Sequence, residues 1–289
     1  MWLCYIFNSP HFKARHLATP FWYNAALSLL KPVYQWKIKK RADSAEQLQQ
    51  ELLERFGPFQ NPKNLNAIWF HVVSVGETNA AQPLIEHYLK NGHPVLVTNT
   101  TKTGQARAKS LFLKEPYLDL FQAVYLPADQ KQLIQNFFQL YQPKLLALVE
   151  TELWPNLIDQ AHEFNVPCIL INARLSEKSA KGYGKVPSLT TPMLSGLNGL
   201  LAQDQASLER FITLGANTET SQVVGSIKFD ITAPKSFIEN AKNLVQEWKL
   251  EQRKIITIAS THAPEEKDIL KALKPYLTEY PELLCIVVP

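Results

Sequence analysis

Three glutamates, one lysine and one arginine stand where chemistry could be done, each just beyond an apolar run. Glu77 lies in Ser74-Val75-Gly76-Glu77-Thr78. A Ser-x-Gly-Glu turn opening a helix puts a carboxylate at a crevice rim, and Gly76 permits close approach of a ligand. The helix N-terminus favours the ionised form, so Glu77 reads as a ready but weak general base, or as a first-turn acid that merely complements the helix dipole. Glu150 and Glu152 close the run KLLALVE and flank Thr151, next to Trp154-Pro155. Two acids there are costly unless paired or hydrated. Arg174, after the next apolar run, is the obvious partner, so a site role competes with a structural ion pair. Alternation would aim both glutamates the same way if the strand continued. Lys228 in Gly-Ser-Ile-Lys-Phe-Asp either faces a cleft or solvates a loop. The turn TNTTKTG (98–104) offers hydroxyls, amides and Lys102 before a helix, an anion or sugar cradle. It lacks the P-loop spacing, and no Gly-x-Gly-x-x-Gly occurs, which weakens a dinucleotide reading.

These residues need a scaffold that brings them to one edge. The spacing predicts a helix over 43–56, capped by Asp43 or Ser44 and stopped by Gly57-Pro58. Apolar strands are then expected at 67–73, 94–100, 123–127, 144–150, 168–172, 199–203 and 222–226. Helices fall between most of them, from about Glu77, Thr103 and Leu153, through Leu140, and over 204–214. Continuous apolar strands alternating with amphipathic helices indicate a parallel sheet covered on both faces. Ligands of such sheets bind beyond the carboxyl ends of the strands, where the five residues lie. DITAPKS (230–236) reads as a linker. The rhythm then restarts with a helix at 236–249, a strand at 254–260, a helix at 264–278 and a strand at 283–289. A second α/β sheet of two strands would leave a flank uncovered and an edge open.

The 289 residues are 46% hydrophobic and 19% charged, with Lys+Arg 30 against Asp+Glu 26. That excludes a disordered, collagen-like or disulfide-scaffold chain. The charge of +4 is unevenly placed. Residues 1–41 carry seven basic side chains and no acid, and the remainder is mildly acidic. A nucleic-acid binder with basic charge spread over its domains is therefore not expected. Cys4, Cys168 and Cys285 have no metal or disulfide spacing and read as buried free thiols, pointing to a reducing compartment. In the basic head, FWYNAALSLLKPVYQWKI (21–38) precedes Lys39-Lys40-Arg41. It is shorter than the ~20 apolar residues of a span and is interrupted by Lys31 and Pro32. Its aromatics and lysines fit an interfacial anchor, the alternative being an amphipathic helix that caps the domain. Residues 1–20 match nothing interpretable.

SVGET, ETELWPN, NARLSEKS, AQDQASLERFITLGA, GSIKFD and ASTHAPEE, in this order and spacing, resemble the Kdo transferases of lipopolysaccharide assembly over roughly residues 21–289. Kdo is 3-deoxy-D-manno-oct-2-ulosonic acid. The resemblance implies a GT-B glycosyltransferase of two Rossmann-like domains with the active site in the cleft between them. It divides the chain into an unassigned extension (1–20), a membrane-associating head (21–41), a complete N-terminal acceptor domain (42–232) and the start of a C-terminal CMP-Kdo domain (233–289). The acceptor implied is the lipid A precursor (lipid IV-A), on the cytoplasmic face of the inner membrane. No metal, other cofactor or nucleic acid is implied. By motif, Glu77 would be the proton acceptor, with Glu150 and Lys228 as transition-state stabilisers. Ser74, Thr101 and Arg174 would touch the acceptor, and Ser260, His262 and Pro289 the donor.

Two departures matter. The family's threonine turn usually carries Pro where this chain has Lys102, a change expected to be tolerated. Family members also run on through an Arg-His after the strand that closes in Val288-Pro289, into a Gly-rich donor loop. A second reading is therefore a truncated form that keeps acceptor and membrane binding without turnover. A third, a nucleotide-sugar epimerase of the same architecture, is disfavoured by ETELWPN and the basic head.

Overall fold

The computed structural model describes residues 18–230 and 235–288, so Cys4, the head's first basic residues and Pro289 lie outside it. The chain forms two compact units, divided between Ile231 and Thr232.

The first unit opens with α1 (Phe21–Arg41) and α2 (Ala45–Phe56). Lys31 and Pro32 interrupt the apolar run but not the helix, which continues for two turns beyond them. One side of α1 is bound to the body. Ile38 is fully buried, a contribution on the order of 2 kcal/mol. Tyr23 donates its hydroxyl proton to Asp129 at 2.9 Å, and Asn24 accepts from the Asn156 amide at 2.9 Å. The other side exposes Trp22, Leu29, Val33 and Trp36, whose spacing of 7, 4 and 3 places them along one stripe. Ser44 caps α2 by accepting from the Gln47 amide. Near its end Arg55 is fully buried, paired with Glu51 at 2.7 Å and donating to the carbonyls of Thr100 (2.6 Å) and Leu126 (3.3 Å). A buried guanidinium survives only with its donors filled, and here it binds α2 to two strand ends.

Seven parallel strands follow: β1 (Ile68–His71), β2 (Val95–Asn99), β3 (Phe121–Tyr125), β4 (Leu145–Val149), β5 (Cys168–Ala173), β6 (Gly199–Ala202) and β7 (Ser221–Val223), in the spatial order 3-2-1-4-5-6-7. Between them run α3 (Val75–Lys90), α4 (Lys102–Phe112), α5 (Lys131–Tyr141), α6 (Pro155–Glu163), α7 (Glu177–Tyr183), α8 (Pro187–Ser195) and α9 (Gln205–Thr213). Both sheet faces are covered. Ile68, Phe70, Val95 and Val97 pack with Ile85 of α3 and Phe112 of α4, while Trp69, Leu96 and Leu148 pack with Phe137 and Phe138 of α5 and Leu157 of α6. Alternate strand residues therefore feed opposite cores, which is why these strands read as unbroken apolar runs. The pair α7–α8 was not expected: Gly182, Gly184, Pro187 and Pro192 mask the helical period. The buried free thiol expected at Cys168 is present, whereas Cys285 is only half-buried.

The second unit holds α10 (Lys235–Glu247), β8 (Lys254–Ala259), α11 (Glu265–Glu279) and β9 (Leu283–Val288). Its two strands pair in parallel, and Ile255 and Ile256 of β8 are exposed.

Candidate active site

The strand order reverses between β1 and β4, both of which pair along their full length with in-register neighbours. At such a switch point the connections leave in opposite directions, and the gap beyond the carboxyl ends is the crevice of a doubly wound sheet. Glu77 follows β1 and Glu150 follows β4, so the fold selects these two from the strand-end residues that the sequence offered.

Glu77 sits in the first turn of α3, which Ser74 caps. Its carboxylate accepts from the Val73 amide at 2.5 Å and from the Ser74 hydroxyl at 3.1 Å. Ser74 caps the helix through the Glu77 amide while the Glu77 side chain reaches back past the cap to Val73, a variant of the capping box at the switch point. The expected effect of the helix N-terminus on its acidity is reversed. Burial raises the Glu77 pKa and the nearby Glu150 charge adds to it, outweighing the Val73 and Ser74 donors. Glu77 is thus a stronger base than an exposed glutamate.

Glu150 corrects a second expectation. Its φ is +64°, so β4 ends at Val149 and the alternation that would have aligned Glu150 with Glu152 stops. A left-handed non-glycine residue is strained by ~1 kcal/mol or more and persists where its surroundings hold it. The partner of Glu150 is Lys228, Nζ to Oε1 3.2 Å, and not Arg174. Lys228 lies on a 3-10 turn, Ile227–Asp230, after β7. That turn is held by Asn172 at the end of β5, whose side-chain oxygen accepts from the Ser226 hydroxyl (3.3 Å) and the Ile227 amide (3.2 Å). Asn172 is buried and left-handed, φ +53°, a conformation asparagine tolerates. Lys228 therefore does more than solvate a loop.

Glu152 is the third carboxylate. It accepts from Trp154 Nε1 at 3.1 Å and lies 3.9 Å from Nε2 of the fully buried His71. Burial, then Glu77 and Glu150, push its carboxyl up to about 7, and burial pushes His71 down to about 3.

The remaining first-unit residues are differently placed. Thr101 caps α4, donating to the Val73 carbonyl at 2.7 Å and accepting from the Gly104 amide at 3.1 Å. A Cβ on Gly104 would stand 2.7 Å from that carbonyl, so the turn's glycine is needed for α4 to press against the loop after β1. Lys102, expected in the cradle, instead pairs with Asp43. Arg174 is exposed, its carbonyl taking the Thr151 hydroxyl proton. Its charge helps to lower the Asp204 pKa, to which the Ser207 amide contributes most. In the second unit, Ser260 follows β8 with φ +59°, and the exposed His262 follows with its amide on Glu265 at 2.9 Å. Pro289 lies outside the described residues.

Two cavities adjoin the cluster. One, about 590 Å3, is lined by Thr151, Glu152, Trp154 and Tyr183. The other, about 340 Å3 and largely apolar, runs under α1 past Leu27, Leu30, Tyr34, Leu126 and Trp154. Trp154 borders both; Glu77, Glu150 and Lys228 line neither. His71 and Asn172 had no role assigned from sequence, though a histidine inside FHVV and an asparagine closing CILIN were the available signals.

A doubly wound α/β unit followed by a second unit that holds a parallel βαβ element is the layout of the GT-B fold class. The solved UDP-GlcNAc 2-epimerase from Neisseria meningitidis bound to UDP-GlcNAc superposes with a TM-score of 0.52 at 16% identity, over 76% of this chain and 64% of that one. A putative UDP-N-acetylglucosamine 2-epimerase from Listeria monocytogenes gives 0.50 at 11%, over 78% and 62%. At such identities the likeness is one of fold. Sequence resolves the family. The family model of 3-deoxy-D-manno-octulosonic-acid transferase (kdotransferase) matches residues 50–231. The 3-deoxy-D-manno-octulosonic acid transferase of Haemophilus influenzae is 35% identical over 274 residues, 93% of this chain and 62% of its own length. That of Bordetella pertussis is 34% identical over 279 residues, 92% and 63%. The chain belongs to the Kdo transferase family, and spans somewhat less than two thirds of these relatives' length.

Proposed function

We propose that this chain acts in the transfer of Kdo from CMP-Kdo to a lipid A precursor, lipid IV-A, at the cytoplasmic face of the inner membrane. The observation that carries the reading is the juxtaposition at the β1/β4 switch point of Glu77, a carboxylate of raised pKa, with a Glu150–Lys228 pair at 3.2 Å. Glu77 accepts the proton of the acceptor sugar hydroxyl as its oxygen bonds to the anomeric carbon of Kdo. The bond from that carbon to the CMP phosphate oxygen breaks, and CMP leaves with the electron pair. Charge builds on the phosphate beside the Kdo carboxylate. Lys228, held in place by Glu150 and by the Asn172 turn, compensates it. Ser260, His262 and Pro289 are assigned to the donor. On the acceptor side, Ser74 and Thr101 shape the wall as helix caps, and Arg174 offers an exposed cation to a phosphorylated sugar. The exposed stripe Trp22–Leu29–Val33–Trp36, ending in Lys37, Lys39 and Lys40, supports a peripheral anchor. Among the described residues no helix is long and apolar enough to cross a membrane.

Glu77→Gln tests the assignment. The amide keeps the shape of the cap and cannot take a proton. Transfer should fall by at least about a hundredfold while acceptor binding persists. Retained turnover would remove Glu77 as the base.

A further inference from the structure

His71 and Glu152 are left without a part in the transfer chemistry, yet they face each other beneath it. His71 is the last residue of β1 and fully buried. Its Nδ1 lies 3.1 Å from the Thr98 carbonyl oxygen and 2.9 Å from the Thr98 hydroxyl oxygen, which itself accepts from Trp69 Nε1 at 2.8 Å. A carbonyl oxygen can only accept and would repel a lone pair, so the ring proton belongs on Nδ1. Nε2 is then a buried lone pair, and it has no hydrogen-bond partner. Facing it at 3.9 Å is Oε2 of Glu152. An ionised carboxylate there would set two acceptors against each other away from water, whereas a protonated carboxyl supplies the donor that Nε2 lacks.

The charges around Glu152 favour the same proton. Glu77 faces it from α3 and Glu150 from its own loop, and both oppose its ionisation. Trp154 Nε1 donates to Oε2 and works the other way, favouring the ionised form, but is outweighed by burial and the two like charges; Tyr183 on α7 feels the carboxyl. Lys228 is engaged by Glu150. The neutral His71 contributes no charge.

We propose that Glu152 is a positioning residue whose protonated carboxyl closes the 3.9 Å gap to His71 and donates to Nε2 of the neutral ring. The bond fixes the 150–154 loop to the end of β1. It also leaves Glu77 as the basic carboxylate of the cluster, a consequence that rests on the reading of Glu77 above; the position of the proton does not. When Glu152 ionises, the loop loses this tie and a further negative charge appears beside Glu77 and Glu150.

The test reads the ring directly and needs no turnover. The chain is labelled with 15N-histidine, and imidazole nitrogen shifts are followed from about pH 5 to 9. His71 is assigned by the signals missing in His71→Gln. A pyrrole-type Nδ1 and a pyridine-type Nε2 are expected throughout, with an Nε2 inflection near pH 7 as Glu152 titrates. Glu152→Gln keeps a donor for Nε2 and should abolish that inflection. A protonated Nε2 in the parent chain, or an unchanged inflection in Glu152→Gln, overturns the proposal. Should Glu152→Gln fail to fold, side-chain 13C shifts of the labelled parent chain decide. A glutamate that titrates near 7 and persists in Glu77→Gln supports the proposal, and its absence overturns it. Failure of the transfer reading leaves these signals where they are.

Discussion

Replacing Lys228 by methionine separates a catalytic from a structural role for the Glu150 pair. At 3.2 Å the bare Coulomb energy is about 5 kcal/mol in a medium of dielectric constant near 20 and about 1.3 kcal/mol in water. Lys228 is 51% exposed and Glu150 27%, so screening and the entropy of a long side chain bring the net worth to about 1 kcal/mol or less. Methionine keeps most of the stem's apolar contact. The melting temperature should fall by no more than about 2–4 °C. A charge pre-placed where negative charge develops is worth far more in rate, about 10²–10³-fold. Stability nearly unchanged with transfer down by two or more orders is therefore the expected pattern. Glu150→Gln should give a similar loss, and the double variant much less than the product of the two, because each single change disables one device. The assays are transfer of Kdo to a lipid acceptor and thermal unfolding by circular dichroism. Transfer within about threefold of the parent would refute the reasoning, as would a rate loss matched by general unfolding. A parent chain that binds acceptor without turning over would favour the binding-only reading.

Two further outcomes follow. Glu152 keeps a native pKa of about 7, above the unfolded value near 4.5. The folded chain therefore holds a proton that the unfolded chain has released. The stability this brings is complete below about pH 4.5 and is lost as pH rises to 7, at most about 3 kcal/mol. Asp129, also pushed up to about 7, adds in the same direction. Melting should be higher at pH 5 than at pH 8, and Glu152→Gln should flatten the slope; a slope of opposite sign would contradict both assignments. At the membrane, Trp22→Ser with Trp36→Ser should weaken binding to anionic vesicles by about ten- to a hundredfold at unchanged melting temperature, since both side chains are exposed. Unaltered co-sedimentation would disprove the anchor.

The fold was readable because its strands are buried on both faces and its helix caps are ordinary. Ser44, Ser74, Thr101 and Asp204 each start a helix within two residues of where the pattern placed it. The pair α7–α8 was not, because glycines and prolines hide its period while Thr190, Met193 and Leu194 still find burial. The head bears on both of its sequence readings. It exposes the stripe an interfacial anchor needs and also caps the domain, since Ile38 is in the core and Tyr23 reaches a buried carboxylate, so deleting α1 would expose both.

The site was legible only as a set of strand ends, and the part that failed concerns which ends meet. Pairing Glu150 with Arg174 follows from assuming that adjacent strands continue straight, so that their last side chains face one another. Two left-handed residues break that assumption. The φ of +64° at Glu150 turns its carboxylate off the strand's alternation, and the φ of +53° at Asn172 brings the side-chain amide onto the turn after β7. The result carries Lys228 across from a strand three places removed in the sheet, a contact that neither strand's own sequence encodes. Nothing in a hydrophobic pattern announces a positive φ at a glutamate, because the strain is held by the surrounding fold rather than by local preference. The same geometry separates the neighbouring acids. Glu150 meets a cation at the surface, while Glu152, two residues on, faces a buried histidine and two like charges. Three carboxylates in one cluster thus need not repel as three charges, and Glu77 can remain the one that is free to take a proton.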